Sequence, residues 1–114
     1  MNIRDRIPVC PHEDRKDVSF YLITTLEKLE KMVPTFLAFT SGLRCVECNR
    51  KVGGSEKSAH LRGKAVDVVC TESQHRYELI AAAVLMGVRR IFIYATHVHI
   101  DVDEELPQGV LGLK

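Results

Sequence analysis

One seven-residue segment near the carboxyl end constrains the fold most, because polar and apolar side chains alternate in it without a break. Residues 97–103 read His-Val-His-Ile-Asp-Val-Asp. Successive side chains of a strand point to opposite faces, so the histidines and aspartates share one face and the aliphatic residues the other. The apolar face predicts the core side of a sheet. The polar face, with His97 and His99 two positions apart, is typical of a metal pocket, and a hydrogen-bonded surface pair is the alternative.

A second predicted strand, Ala65–Cys70, carries one carboxylate among apolar residues. Burying an unpaired carboxylate is costly, so Asp67 needs a partner, which is either a metal ion or an arginine. His60 precedes Asp67 by one short loop, and Gly63 permits the sharp turn that returns the His60 ring towards it. Together with His99, these residues supply two imidazoles and one carboxylate. That set leaves the fourth position of a tetrahedral zinc ion open, as catalytic zinc sites do.

The spacing of apolar residues predicts two main helices. The first follows Asp17, the expected cap, and stops at Pro34. The second begins at the capping-box sequence Thr71–Gln74 and ends at Gly87. The apolar face of the first helix consists of Val18, Leu22, Leu26, Leu29 and Val33.

The remaining apolar runs predict strands at Thr35–Ser41 and Arg90–Tyr94. The second of these is expected to form a hairpin with residues 97–103 through Ala95 and Thr96. A loop or short helix follows the first strand, and the glycine-containing residues 51–58 predict a surface loop. The predicted fold class is therefore α+β, with a small antiparallel sheet packed against two main helices.

Length and charge limit the remaining classes. The 114 residues predict a single domain over 1–114 that folds as a monomer, with an irregular segment at about 1–15. Sixteen basic residues nearly balance fifteen acidic ones, so no nucleic-acid partner is expected. The longest apolar stretch, Leu79–Val88, is too short for stable membrane insertion, and the first residues lack an apolar signal core. We therefore expect synthesis in the cytoplasm without a signal peptide.

Four cysteines leave their chemistry open. Cys45 and Cys48 have the spacing of zinc knuckles, and Cys10 with His12 would complete a set of three thiols and one imidazole. One interpretation is a structural zinc ion that fastens the irregular first segment to the following loop. Reduced thiols, or a single bridge from Cys10 to Cys45 or Cys48, are the alternatives. Cys70 lies on the core face of its strand and is expected to pack there.

Two motifs resemble the paired signatures of the M15 peptidases. Residues 58–67, Ser-Ala-His-Leu-Arg-Gly-Lys-Ala-Val-Asp, are similar to S-x-H-x-x-G-x-A-x-D, and residues 97–99 are similar to H-x-H. The resemblance extends upstream through residues 40–44 and 49–54, so it covers roughly 35–103. These peptidases include D-alanyl-D-alanine carboxypeptidases and phage endolysins, and the hedgehog signalling domain shares their zinc fold. The resemblance therefore implies a hedgehog-like fold.

The resemblance also implies a role for each residue of the metal site. His60, Asp67 and His99 would bind one zinc ion. His97 would be the histidine beside the metal that activates water or stabilises the oxyanion. Some relatives carry a glutamate as general base where this chain has Thr96, so the resemblance favours His97 as the catalytic residue.

Substrate contacts are implied in the same way. Arg44 matches the position at which relatives hold a substrate carboxylate, and its planar guanidinium can meet both oxygens. Ser58 and Asn49 are expected to assist in binding the substrate, with a purely structural role as the alternative for each. Asp101 is expected to orient His97 or His99, and a solvated carboxylate is the alternative.

The implied function is zinc-dependent hydrolysis of an amide bond in the stem peptides of peptidoglycan. The activity would be that of a D-Ala-D-Ala carboxypeptidase or of an L-Ala-D-Glu type endopeptidase. A phage endolysin that reaches the cell wall after release best fits a chain expected to lack an export signal. The main alternative is an inactive, zinc-stabilised binding module, and the presence of His97 together with Arg44 favours the enzyme. A fold without metal would require several motif matches to be accidental.

Overall fold

A computed structural model describes residues 2–114, and within them helices and strands form an α+β fold, as predicted. The helices are α1 (Ile3–Arg6), α2 (Phe20–Met32), α3 (Val46–Lys51) and α4 (Ser73–Leu85). The strands are β1 (Phe39–Ser41), β2 (Ala65–Val69), β3 (Arg90–Ile93), β4 (His97–Asp101) and β5 (Val110–Leu113). Two short 3-10 turns cover Arg15–Asp17 and Ala59–Arg62.

The five strands form one sheet in the order β1-β2-β4-β3-β5. The pairs β1 with β2, β2 with β4 and β3 with β4 are antiparallel, whereas β5 runs parallel to β3. The sheet is therefore mixed: the predicted small antiparallel sheet is present, and the parallel strand β5 was not predicted. The residues before and within β5 include Pro107, Gly109 and Gly112, which are typical of loops. Pairing with the free edge of β3 makes this segment a strand.

The first long helix, α2, is capped by Ser19 rather than by Asp17. The Ser19 Oγ accepts a hydrogen bond from the Leu22 backbone N–H at 3.2 Å, while Asp17 ends the preceding 3-10 turn. The helix ends at Met32, because Pro34 disfavours helical geometry in the residue before it, Val33. Its predicted apolar face is confirmed, because Leu22, Leu26 and Leu29 are fully buried.

The second long helix, α4, begins without the predicted capping box. Glu72 occupies the cap position and its side chain makes no capping hydrogen bond. Just before this helix, the Cys70 N–H donates to the Thr96 carbonyl at 3.1 Å. This hydrogen bond keeps the end of β2 beside the hairpin of β3 and β4. Gly87 follows the helix with a φ of 86°, a conformation that glycine adopts without strain. Among residues 2–114, no helix has the length and apolar character needed to cross a membrane.

Residues 2–15 contain more regular structure than the predicted irregular segment at about 1–15. They contain α1, whose Ile3 is buried, and Ile7 directly after it is also buried. Val9 then pairs in parallel with Leu43, which lies in the loop after β1. Tertiary contacts explain this order, because the few apolar residues of the segment pack against a core built by the rest of the chain. The amino-terminal segment is thus attached to the loop that follows β1.

The strand β1 is shorter than predicted, since only Phe39–Ser41 pairs with β2. Residues 35–38 approach β2 through one hydrogen bond, from the Val69 N–H to the Ala38 carbonyl at 2.8 Å. The Phe36 side chain is exposed. The hairpin of β3 and β4 is as expected, with the Tyr94 N–H donating to the His97 carbonyl at 2.9 Å across the turn.

The two faces of the sheet differ in chemistry, as the alternation predicts. One face is apolar and belongs to the core that includes buried residues of α2 and α4. Its fully buried strand residues include Val66, Val68, Val98 and Ile100. The other face carries Asp67 directly opposite His99 in the pairing of β2 with β4. This polar face is where the candidate site lies.

Candidate metal centre and substrate cleft

Three side chains from different parts of the chain converge on the polar face of the sheet. His60 lies in the 3-10 turn Ala59–Arg62, Asp67 in the middle of β2 and His99 in the middle of β4. The His60 Nε2 is 3.3 Å and the His99 Nδ1 is 3.2 Å from the same oxygen, Asp67 Oδ1. One ligand atom from each residue lies within 4.8 Å of the others, so the geometry could hold a metal ion.

The His60 ring is oriented by the backbone. Its Nδ1 lies 2.7 Å from the Gly42 carbonyl oxygen, which can only accept, so Nδ1 carries the proton. The other ring nitrogen, Nε2, then faces Asp67. Gly63, at a φ of 67°, ends the turn, and a Cβ there would collide with the Asp17 carbonyl. Glycine at this position therefore lets the chain return from His60 to β2.

The His99 ring is oriented by a carboxylate. Its Nε2 lies 2.7 Å from Asp101 Oδ2, and Arg90 Nε donates to Asp101 Oδ1 at 2.8 Å. Asp101 is fully buried, so this pair of contacts fixes it firmly. With Nε2 donating to Asp101, the Nδ1 atom of His99 faces Asp67. Of the two partners expected for Asp101, the structure places His99 in contact.

The charges of this cluster favour a cation. Burial disfavours the ionised form of Asp67, but the hydrogen bonds and charges of His60 and His99 outweigh it and lower the pKa of Asp67. Burial likewise tends to lower the pKa of His99, yet Asp101 and then Asp67 raise it above its usual value. Two ionised carboxylates thus flank His99. This concentration of negative charge suits a metal cation.

The donor set fits zinc. Zinc binds imidazole nitrogens and carboxylate oxygens, and each ligating histidine of a zinc site usually donates its other N–H to a carbonyl or a carboxylate. Here His60 uses a backbone carbonyl and His99 uses Asp101. Three protein ligands also leave coordination positions for water and substrate.

His97 lies beside this cluster but outside the set of ligand atoms. Its ring stacks on Tyr94 with centroids 4.3 Å apart, and its Nε2 is 3.8 Å from Asp67 Oδ2. The Thr96 Oγ1 lies 3.1 Å from His97 Nδ1, within hydrogen-bond distance. About a quarter of the His97 side chain is exposed. The ring is therefore held on both sides and open to a bound substrate.

A cleft of about 870 Å³ contains the site. Arg44 lines this cleft together with His60, Asp67, His97 and His99. The Arg44 Nε is buried and has no hydrogen-bond partner within residues 2–114. Burial lowers the pKa of Arg44, and the charge of Asp67 opposes that effect. An arginine guanidinium is so basic that it carries its charge at neutral pH. A half-buried cation with an unused donor suits an anionic ligand.

The other two expected substrate contacts differ in position. Ser58 lines the cleft, and its Oγ accepts a hydrogen bond from the His60 N–H at 3.2 Å. Asn49 is buried and its Nδ2 donates to the Ser55 carbonyl at 2.8 Å. A Cβ on Gly54 would collide with the Asn49 side chain, which shows how closely the loop lies over it. Asn49 does not line the cleft but supports the loop that does.

A second cluster lies outside this cleft. One ligand atom from each of Cys10, His12, Cys45 and Cys48 falls within 4.8 Å of the others. No disulfide joins cysteines within residues 2–114. Cys70 is buried in the core, as expected.

The sequence interpretation missed two side chains of the site, Arg90 and Tyr94. A signal for both was present in the hairpin. A turn at Ala95 and Thr96 places Tyr94 opposite His97 and Arg90 opposite Asp101, and the second of these pairs is observed in the sheet register. Counting back along the hairpin would therefore have found them. The sequence holds no signal for the Gly42 carbonyl, because every residue type has a backbone carbonyl.

Comparison with known proteins tests the family resemblance. No curated protein matches the chain. The family model described as Peptidase M15 matches residues 6–103, and this range includes both motifs, the three clustered ligands, His97 and Arg44. Such a match covers most of the 114 residues. The chain therefore belongs to the M15 family of peptidases, which are zinc-dependent metallopeptidases.

Proposed function

We propose that the protein is a zinc-dependent peptidase that hydrolyses an amide bond in the stem or cross-link peptides of peptidoglycan. The bond would be the one that a D-Ala-D-Ala carboxypeptidase cleaves or the one that an L-Ala-D-Glu type endopeptidase cleaves. The observation that carries the proposal is the shared cleft. It combines a set of metal ligands, a histidine outside that set and an arginine with an unused donor.

His60, Asp67 and His99 would hold the zinc ion. When bound, zinc supplies a Lewis acid that polarises a carbonyl and lowers the pKa of water to near neutrality. The residues around it prepare the site beforehand. The Gly42 carbonyl and Asp101 each accept a hydrogen bond from one ring N–H, so the remaining nitrogen of each histidine is available as a ligand.

His97 is proposed as the general acid and base. Its Nε2 is close enough to Asp67 to stand next to the reacting atoms, and its ring is not needed as a ligand. An imidazole in this position can accept a proton from the attacking water and return it to the leaving amine. Stacking on Tyr94 and the contact with Thr96 restrict the ring to this orientation.

Arg44 is proposed to bind a carboxylate of the substrate. A guanidinium can form two parallel hydrogen bonds with a carboxylate, which fixes the peptide in direction as well as position. The Ser58 hydroxyl accepts from the His60 N–H, so its own proton remains available for the same carboxylate. Lys57 and Lys114 also line the cleft and add positive charge. These charges suit a peptide that carries free carboxylates, as stem peptides do.

The proposed role of a phage endolysin, a monomer that acts on the cell wall after release, is supported by the family resemblance alone. Its test is addition of the protein to bacteria whose outer barrier has been permeabilised. We expect lysis that a chelator prevents. Intact cells at protein concentrations that fully digest isolated peptidoglycan would contradict the lytic role but not the peptidase.

The experiment that tests the peptidase itself is mass spectrometry of purified peptidoglycan incubated with the zinc-loaded protein. We expect shortened peptides whose masses identify the bond, and we expect them to disappear when a chelator is added. The matched control is the His97→Ala protein loaded with the same zinc. Binding to peptidoglycan without any products, across several wall types, would instead identify an inactive binding module.

A further inference from the structure

We propose that Cys10, His12, Cys45 and Cys48 bind a second zinc ion, which has a structural role. The His12 Nδ1 lies 3.6 Å from the Cys45 Sγ and 3.7 Å from the Cys48 Sγ. The Cys10 sulfur belongs to the same group of atoms within 4.8 Å. Three sulfurs and one imidazole nitrogen form a complete tetrahedral set for zinc, the closed arrangement of structural sites.

The backbone around the cluster favours thiolates. The Cys45 N–H donates to the Cys10 Sγ at 3.3 Å, and the Cys48 N–H donates to the Cys45 Sγ at 3.4 Å. Donors directed at sulfur stabilise its charged form, which is the form that binds metal. Two of the three sulfurs thus already have the hydrogen bonds expected of metal-bound thiolates.

A disulfide explains the cluster less well than a metal ion does. One bridge would use two of the cysteines and leave the third thiol and the His12 ring without a function in the group. In the structure, the His12 Nδ1 is nearly equidistant from Cys45 and Cys48. Such a position between two sulfurs is what a shared metal ion requires.

The site would fasten two distant parts of the chain beside the substrate cleft. Cys10 follows the bridge of Val9 with Leu43, and its N–H donates to the Leu43 carbonyl at 3.0 Å. Cys45 directly follows Arg44, whose own N–H donates to the His60 carbonyl at 3.0 Å. A metal ion held by Cys10 and Cys45 therefore restrains the backbone next to Arg44. In a domain this small, such a metal link can supply stability that the core lacks.

The first test is the metal content of the full-length protein, purified with zinc and a reductant that contains no thiol. We expect two equivalents of zinc per chain in the unmodified protein and one in Cys48→Ser. The matched control is Cys70→Ala, which changes the cysteine in the core and should keep both equivalents. Equal zinc content in the unmodified protein and in a folded Cys48→Ser protein would overturn the proposal, whether or not the sheet cluster holds its own ion.

The second test uses cobalt in place of zinc in the unmodified protein, so it does not depend on the folding of any variant. Bonds between sulfur and cobalt absorb strongly in the near ultraviolet, and His60, Asp67 and His99 offer no sulfur. We expect this absorption band to grow with added cobalt and to disappear when zinc displaces it. A cobalt-loaded protein without the band would refute a cysteine-bound metal. Neither test uses a substrate, so failure of the proposed peptidase activity would leave both results unaffected.

Discussion

Two clusters of candidate metal ligands lie in one small chain, and they differ in almost every physical respect. The sheet cluster is His60, Asp67 and His99, three ligands fixed by the sheet and its adjoining turn. The cysteine cluster is Cys10, His12, Cys45 and Cys48, four ligands from the amino-terminal segment and the start of α3.

We interpret this difference as one of role, with the sheet cluster serving the reaction and the cysteine cluster serving the stability of the fold. In the sheet cluster both histidines have a protein partner on the ring nitrogen that faces away from the site, and the open side faces a large cleft. The cysteine cluster offers a complete set of ligands and includes the exposed His12. An open set can bind a substrate and a closed one cannot. We therefore expect removal of one cluster to abolish the reaction and removal of the other to weaken the fold.

The largest expected effect comes from His99→Ala. The sheet cluster loses a ligand, so zinc at that site and all measurable hydrolysis should disappear together, while the metal of the cysteine cluster remains. Metal analysis and the peptidoglycan digest measure the two effects. The matched variant is His12→Ala, which should lose the other equivalent and keep most of the activity. A His99→Ala protein that retains its full zinc content would show that the sheet cluster is wrongly assigned.

The next largest effect is expected from His97→Ala. Removal of a general acid and base lowers turnover by roughly 10²- to 10⁴-fold, whereas the metal ligands are untouched. We expect both equivalents of zinc to remain and kcat to fall within that range. Unchanged turnover would move the proton-transfer role to another group, and loss of zinc would make His97 a ligand.

Arg44→Ala tests a side chain that lines the cleft of the sheet cluster and directly precedes Cys45 of the cysteine cluster. A hydrogen bond to a charged group contributes about 1.5 to 3 kcal/mol, so kcat/KM should fall by roughly 10- to 150-fold. Zinc content should stay unchanged. Lys57→Ala is the control, because it removes another positive charge that lines the same cleft. An equal loss in both variants would indicate a general effect of charge rather than a specific contact with Arg44.

The smallest effect on activity is expected from Asp101→Asn. Loss of the charged partner of His99 should weaken zinc binding at the sheet cluster by about 10- to 100-fold, with little change in turnover at saturating zinc. Competition with a chelator measures the affinity. Asp103→Asn is the matched control, because Asp103 is equally buried but pairs with Arg62. Equal affinities in the two variants would exclude a specific role of Asp101.

The sequence predicts the sheet cluster well because its signals are local. Alternation along β4 separates His99 from the core residues Val98 and Ile100, and the buried positions of these two confirm that separation. Asp67 stands out in β2 for the same reason. Their function as metal ligands stays a prediction, although the structure brings their atoms together.

Other features could not be derived from local patterns. The strand β5 forms only because β3 offers an unpaired edge, and α1 is ordered against a core assembled from later residues. The cap of α2 is Ser19 rather than the predicted Asp17, because the residues before Ser19 form a 3-10 turn that includes Asp17. In each case the deciding contact lies outside the window in which periodicity and capping operate.

The sequence by itself therefore determined the α+β class, the two main helices, the hairpin and the family, because helical and strand periods and short motifs depend on neighbouring residues. Only the tertiary structure decided which groups orient the ligands. The Gly42 carbonyl meets His60, Arg90 fixes Asp101, and Cys10 with His12 approaches Cys45 and Cys48. The physical reason is that most of these partners are far apart in the chain, so that packing of the whole domain is needed to bring them within bonding distance.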